Sequence, residues 1–292
     1  NWKLDFNVSY EYGDQGGYPY GLYNKETGDV AKTAYNDESS YYRNLLNAGL
    51  NVEYQAQNFT LSAVTGYQHL KDRMFLDQDF TAKNTYTLEQ KQRINTISEE
   101  IVMKSKESHR WQWATGIFGF YQWLNTTAPV TFKEDGMAMM DQMLGNFIPA
   151  LVEVPMGPGR NMNIMPALKV TSARLPINGD FKTPLLNGAL FHQSTFRDLF
   201  GIDGVSFTAG LRLDYEKMKM DYNSGTAMDY TIGITGQMMM NGAPTGNPIP
   251  MMPETALTVT SRYQGSISKD YLQLLPKFAL QYDFPKNLGN VY

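Results

Sequence analysis

The stretch that decides the fold is residues 110–125, RWQWATGIFGFYQWLN. Read at alternate positions, one face carries three of the four tryptophans, Trp111, Trp113 and Trp123. A period of two predicts a β-strand, because successive side chains leave a strand on opposite faces. Trp113 and Trp123 are separated by roughly 33 Å along a strand, or about 25 Å along the axis of a barrel whose strands tilt by about 40°. That span matches the height of the apolar band between the two aromatic girdles of an outer-membrane barrel.

The composition excludes several classes of function. The chain has 292 residues, a net charge of -4 and no block of like charge, so it lacks the basic footprint of a nucleic-acid-binding protein. Cysteine is absent, which excludes disulfides, thiolate metal sites and cysteine nucleophiles. Aromatic residues make up 13% of the chain, which favours strands over helices. There is no apolar run of the roughly 20 residues that a transmembrane helix needs.

Similar alternation recurs along the chain and predicts about eight strands with a ninth just begun. The predicted strands lie at 2–12, 46–56, 59–67, 93–104, 110–125, 189–196, 205–216 and 278–284. Glu99 interrupts the apolar face of its strand, and the sequence offers no reason for it.

The connections between these strands alternate in length. Long connections are predicted at 13–44, 71–92, 126–186 and 217–270, and short ones at 57–58, 105–110, 197–204 and 285–289. Outer-membrane barrels combine short turns on one side with long loops on the other, whereas a soluble β-sandwich has no reason to alternate loop length. The pattern favours an all-β, transmembrane, antiparallel up-and-down barrel, with 1–292 as part of one barrel domain. A soluble sandwich is the alternative.

Six short motifs, in order along the chain, resemble strands of the TonB-dependent outer-membrane receptors. The motifs are LSAVTGYQ at 61–68 with the acidic pair Asp77 and Asp79 after it, SEEIVM at 98–103, the G-x-x-Y-like strand at 116–121, ALFHQSTF at 189–196, TAGLRLDY at 208–215 and LPKFALQY at 275–282. Residues 290–292 resemble the start of a further strand. Val102 stands where the family usually has Arg.

The resemblance implies a segment of a barrel of about twenty-two strands in a Gram-negative outer membrane. Such receptors take up a scarce nutrient, with a ferric siderophore as the commonest cargo and haem or cobalamin as others. The implied partners are outer-membrane lipid, the nutrient, the TonB energy-coupling complex acting through a plug domain absent from this sequence, and a surface lipoprotein. No cofactor is implied. The alternative function is a soluble or cell-surface β-sheet binding protein without transport activity.

Methionine is the most unusual feature, because sixteen of the seventeen fall in predicted loops. Three roles stay open: a Cu(I) site, an adaptable apolar surface for cargo or a protein, and small loop cores. Packing in loop cores is the most common role for such residues. The candidate cargo-binding residues are Met137, Met139, Met140, Met143, Met238, Met239 and Met240.

Charged residues on the polar strand faces are expected to face the interior of a barrel, where they contact water, a plug or cargo. These residues are Glu100, Arg212, Asp214 and Glu216. Trp2, Trp111, Trp113 and Trp123 are expected to form the aromatic girdles at the membrane surfaces. The three histidines have no metal-ligand spacing, and no hydrolase or phosphate-binding motif is present. We therefore expect no resident metal and no enzymatic activity.

Overall fold

The computed structural model describes residues 1–17, 20–148, 150–284 and 289–292. Fourteen strands form one sheet, with the helix α1 (Glu134–Asn146) and a short 3-10 turn at Leu199–Gly201 beside it. The strands are β1 (Trp2–Gly16), β2 (Ser40–Gln55), β3 (Phe59–Asp77), β4 (Tyr86–Ser105), β5 (Trp111–Thr127), β6 (Val130–Phe132), β7 (Val152–Gly157), β8 (Arg160–Val170), β9 (Leu175–Lys182), β10 (Leu185–Arg197), β11 (Val205–Met240), β12 (Ala243–Pro244), β13 (Ile249–Asp283) and β14 (Asn290–Val291). The predicted all-β antiparallel fold is confirmed.

The long strands pair with their neighbours in an antiparallel series. β1 pairs with β2, β2 with β3, β3 with β4, and β4 with β5. The series continues through β10 to β11 and then to β13. Short turns at 56–58, 106–110 and 198–204 all lie at one end of this series, which we call the short-turn end. The predicted turn at 285–289 falls mostly outside the described residues.

One face of the sheet is apolar and exposed. Ile117, Leu190, Leu213 and Leu274 lie directly beside one another on β5, β10, β11 and β13. Their exposed fractions are 50%, 56%, 40% and 60%, respectively. No large side chain among the described residues is fully buried. The apolar side chains of these strands therefore form an outward-facing surface instead of a packed core.

The long connections are shorter than the sequence pattern predicts. β3 continues to Asp77 and β4 begins at Tyr86, so the connection predicted at 71–92 contains only residues 78–85. β1 and β2 likewise extend into 13–44 and leave 17–39 between them. The backbone hydrogen bonds continue past the region where one face is apolar, and they do not depend on side-chain alternation. Alternation therefore underestimates the lengths of these strands.

The other two long connections hold much of the paired backbone. Residues 126–186 contain β6, α1, β7, β8 and β9. Residues 217–270 form the part of the hairpin between β11 and β13 that lies farthest from the short-turn end. β11 has 36 residues, a length of roughly 120 Å if it were fully extended. Its C-terminal part pairs with β8 and β9 on one side and with β13 on the other. We call this end of the sheet the long-connection end.

Helix α1 has 13 residues. No helix among the described residues is long and apolar enough to cross a membrane.

Candidate functional site

A cluster centred on Arg212 lies on the polar face of the sheet. The Arg212 guanidinium lies 5.7 Å from the ring centre of Phe191 and 6.0 Å from that of Phe118. It also donates to both carboxylate oxygens of Asp214, from Nε at 2.7 Å and from Nη2 at 2.8 Å. Glu100 lies beside Phe118 in the strand register. Two aromatic rings and a bidentate carboxylate therefore fix the orientation of this arginine.

Three of the four charged residues expected on the polar face line or adjoin one concavity. Asp214 and Glu216 line it together with Asn187, Tyr271 and Gln273, and its volume is about 360 Å³. Arg212 is bound to Asp214 at its edge. Glu100 lies two strands away and does not line this concavity. The polar face thus offers hydrogen-bond acceptors with one fixed cation beside them.

Phe118 and Phe191 are the members of this cluster that the sequence analysis missed. Both are aromatic residues on the polar face, where they only weakened the alternation of their strands. Gly116 explains the position of Phe191, because a Cβ built on Gly116 would lie 2.4 Å from Cζ of the Phe191 ring. The ring lies over the glycine, which lets the aromatic side chain cross onto the neighbouring strand.

Gly116→Ala is therefore expected to destabilise the sheet by about 1–3 kcal/mol, because the new methyl group overlaps the Phe191 ring and the carbonyl oxygen of Ile101. The matched control is Gly119→Ala on the same strand, where a Cβ would meet no atom within 4 Å. Urea unfolding, followed by tryptophan fluorescence, measures both variants. Equal midpoints for the two variants would contradict the close approach.

Polar groups on the apolar face are hydrogen-bonded to one another across strands. Glu99, which the sequence could not explain, accepts a hydrogen bond of 2.5 Å from the Thr65 hydroxyl. The His192 ring contacts Thr115 Oγ1 at 2.6 Å and Ser194 Oγ at 3.1 Å. Such pairing satisfies the hydrogen-bonding capacity of these polar groups within an apolar face.

The tryptophans lie towards the two ends of the apolar face. Trp111 and Trp113 begin β5 at the short-turn end, and Trp2 begins β1 at the same end. Trp123 lies towards the other end of β5, with its ring 4.4 Å from that of Tyr121. Trp2, Trp111 and Trp123 are 67%, 53% and 45% exposed. The four tryptophans therefore share one face of the sheet, three of them at the short-turn end and Trp123 towards the other end.

Asp77 organises the connection between β1 and β2 at the long-connection end. Its side chain is buried, with 2% of the residue exposed. Its Oδ2 atom accepts the backbone N–H of Asn36 at 2.9 Å and that of Asp37 at 3.4 Å. The backbone N–H of Asp77 in turn donates to the hydroxyl of the buried Ser39. One carboxylate therefore fixes the end of the 17–39 connection onto β3.

Asp79 plays a similar role within 78–85. Burial alone would raise the pKa of its carboxyl, but hydrogen bonds from Thr81 and Thr85 outweigh it and hold the pKa below its ordinary value. The Thr81 hydroxyl donates at 2.7 Å and the Thr85 backbone N–H at 3.1 Å. The carboxylate is thus used to shape the connection between β3 and β4.

Helix α1 is tied to both of these connections through its N-cap residue and its first turn. Asp135 accepts the backbone N–H of Asn84 at 2.7 Å, and Lys133 forms an ion pair with Asp37. Gly136 is packed against the backbone carbonyl of Thr85, where a Cβ would lie at 2.3 Å. The three segments therefore form one cap over the long-connection end of β3 and β4.

The methionines predicted to bind cargo fall into two separate groups, and they lie in the helix or in strands instead of loops. Met139, Met140 and Met143 line a mainly apolar concavity of about 530 Å³ beside α1, whereas Met137 is buried. Met238, Met239 and Met240 end β11. Asp141 on α1 contacts Val170 at one end of β8, while Met238 pairs with Met162 near the other end. The two groups of methionines therefore do not form a single binding site.

Among the described residues, no three His, Cys, Asp or Glu side chains are grouped so that they could hold a metal ion. The fold and its faces define the chain as an antiparallel sheet with one apolar, outward-facing surface and one polar surface. No protein-family model matches the chain, and no curated protein is significantly similar to it.

Proposed function

We propose that this chain is part of an outer-membrane β-barrel receptor that takes up a scarce nutrient with energy supplied through TonB. The observation that carries the proposal is the apolar face, on which in-register aliphatic side chains from neighbouring strands are 40–60% exposed. A soluble protein rarely exposes an apolar surface of this extent. A lipid bilayer covers such a surface, while the opposite polar face lines the barrel interior.

The hydrogen bonds of the strands also fit a membrane environment. Antiparallel strands satisfy the backbone groups of their neighbours, which a bilayer requires because no water is present to do so. Within the described residues, β1 pairs only with β2, and the outer edge of β13 pairs only with β14. On this proposal, further strands pair with both edges and close a barrel of about twenty-two strands.

The two ends of the sheet would then have different roles. The short turns would lie in the periplasm, and the cap formed by 17–39, 78–85 and α1 would lie outside the cell with the hairpin between β11 and β13. Cargo would meet this outer region first and then the polar face around Arg212. A plug domain moved by the TonB complex would contact that face and control passage. Binding and gated release need no covalent chemistry.

A ferric siderophore is the default cargo, because it is the commonest in the receptors that these strands resemble. Copper, haem and cobalamin are alternatives, and a surface lipoprotein is a further partner to test. The second candidate function is a soluble or cell-surface β-sheet binding protein.

Membrane fractionation tests the proposal. The intact receptor is expected in the outer-membrane fraction, resistant to alkaline carbonate extraction and soluble only with detergent. A folded, monodisperse protein in buffer without detergent would contradict the barrel and favour the soluble binding protein.

A further inference from the structure

The face of β11 that carries Arg212 also carries a series of methionines further along the strand. Side chains at even positions share this face, and β11 pairs with β8 and β9 without a break in register. The series is Met218, Met220, Met228, Met238 and Met240. Thioether sulphur is a soft donor, which prefers Cu(I) to the hard cations that oxygen ligands bind.

Two methionine sulphur atoms approach each other around Gly236. A Cβ built on this glycine would lie 2.7 Å from Sδ of Met251 and 3.6 Å from Sδ of Met162. The two sulphur atoms therefore approach one small region from opposite sides, since Met162 lies on β8 and Met251 on β13. Gly236 leaves open the space that any other side chain would fill.

Met238 lies next to this region and offers a third thioether. It is two residues from Gly236 and therefore on the same face of β11, and it pairs directly with Met162 across the strands. Irregular pairing of β13 between Ile234 and Thr235 of β11 allows Met251 to reach over the glycine. Met239 points to the opposite face, so the three consecutive methionines do not act together.

The methionine site is partly shielded from solvent but remains accessible from one side. Gly236 is buried, Met162 and Met238 are half-buried, and Met251 is 51% exposed. An ion could therefore enter past the Met251 side chain and be held among sulphur atoms. Cu(I) is stable with two or three soft ligands and does not require carboxylate or imidazole groups.

We propose that Met162, Met238 and Met251 form a binding site for Cu(I) above Gly236. As the first contact of a copper cargo, the site rests on the proposed uptake function, since it lies on the face that would continue into the barrel interior. Binding itself does not depend on transport, and it involves no change in the oxidation state of the ion.

The test is Cu(I) binding by the intact protein, purified in detergent and titrated without oxygen against a chromophoric Cu(I) chelator. Ag(I), which is not oxidised in air, serves as a second probe in calorimetry. The wild-type protein is expected to retain one tightly bound ion. Met162→Leu combined with Met251→Leu is expected to lower the affinity at least about tenfold, because leucine keeps the volume and removes the ligands.

Gly236→Ala gives a sharper test, because it removes no sulphur atom. The added methyl group would fill the space above Gly236 and displace the Met251 side chain, so we expect a similar loss of Cu(I) affinity. Gly233→Ala is the matched control on β11, since its Cβ would make only ordinary contacts of 3.5 Å or more. Met74→Leu with Met103→Leu removes two sulphur atoms elsewhere and is expected to leave binding unchanged.

Circular dichroism of each variant verifies that the sheet is intact. Wild-type affinity no greater than that of the Met162 and Met251 double variant would overturn the site. Unchanged affinity in Gly236→Ala would overturn it as well. Neither result bears on membrane insertion, so the fractionation experiment still decides the proposed function separately.

Discussion

Leu190→Arg is expected to destabilise the protein in a lipid bilayer by about 2–4 kcal/mol, the cost of a lipid-facing arginine near the middle of a membrane barrel. Leu190 is central on the apolar face, between Ile117 of β5 and Leu213 of β11. Its side chain is 56% exposed, so in water an arginine there would cost almost nothing. The destabilisation is therefore a measure of contact with lipid. Urea unfolding from liposomes gives the free-energy difference.

Asn187→Arg is the matched control for this substitution. Asn187 lies on the same strand but on the polar face, where it lines the concavity beside Asp214 and Glu216. An arginine there meets two carboxylates and is expected to cost less than about 1 kcal/mol. Equal costs for the two arginines would mean that the two faces of β10 meet the same solvent.

Asp77→Ala is expected to release the 17–39 connection, with a loss of about 2–4 kcal/mol in the free energy of its local opening. The substitution removes the buried carboxylate that accepts the backbone N–H groups of Asn36 and Asp37, and hydrogen bonds to a charged group are worth about 1.5–3 kcal/mol each. Amide hydrogen exchange at these two residues measures the opening directly. Cleavage by added protease within 20–39 should increase in parallel.

Asp29→Ala provides the control for the same connection, because the Asp29 side chain is exposed. It should leave exchange at Asn36 and Asp37 at the wild-type rate. If Asp77→Ala also left that rate unchanged, the carboxylate would not hold the connection in place.

The alternating parts of the strands were predictable because one face of each is mainly apolar. β1, for example, begins at Trp2 as expected and only its end at Gly16 lies beyond the alternation. The strand conformation of the C-terminal part of β11 was not predictable, because polar residues and methionines occupy both of its faces. Its strand conformation depends on pairing with β8, β9 and β13, which are distant in sequence. Local periodicity carries no information about such partners.

Only the part of the polar-face cluster that lies on a single strand could be predicted from the sequence. Arg212, Asp214 and Glu216 follow the alternation of one strand, so their shared face could be read from spacing. The aromatic rings around Arg212 come from two other strands, and the register that brings Phe191 over Gly116 is a property of the sheet. Glu99 was unexplained for the same reason, since its partner Thr65 lies on a neighbouring strand.

The most direct test of the central claim is a nitroxide scan along β10. The chain has no cysteine, so single cysteines introduced at successive positions of Leu185–Arg197 can each be labelled without background. In liposomes, labels at Leu186, Leu190 and the other even positions are expected to be relaxed by oxygen, which concentrates in lipid. Labels at Asn187, Gln193 and the other odd positions are expected to be relaxed by a water-soluble nickel complex. Uniform accessibility to the nickel complex along the whole strand would contradict a lipid-facing sheet.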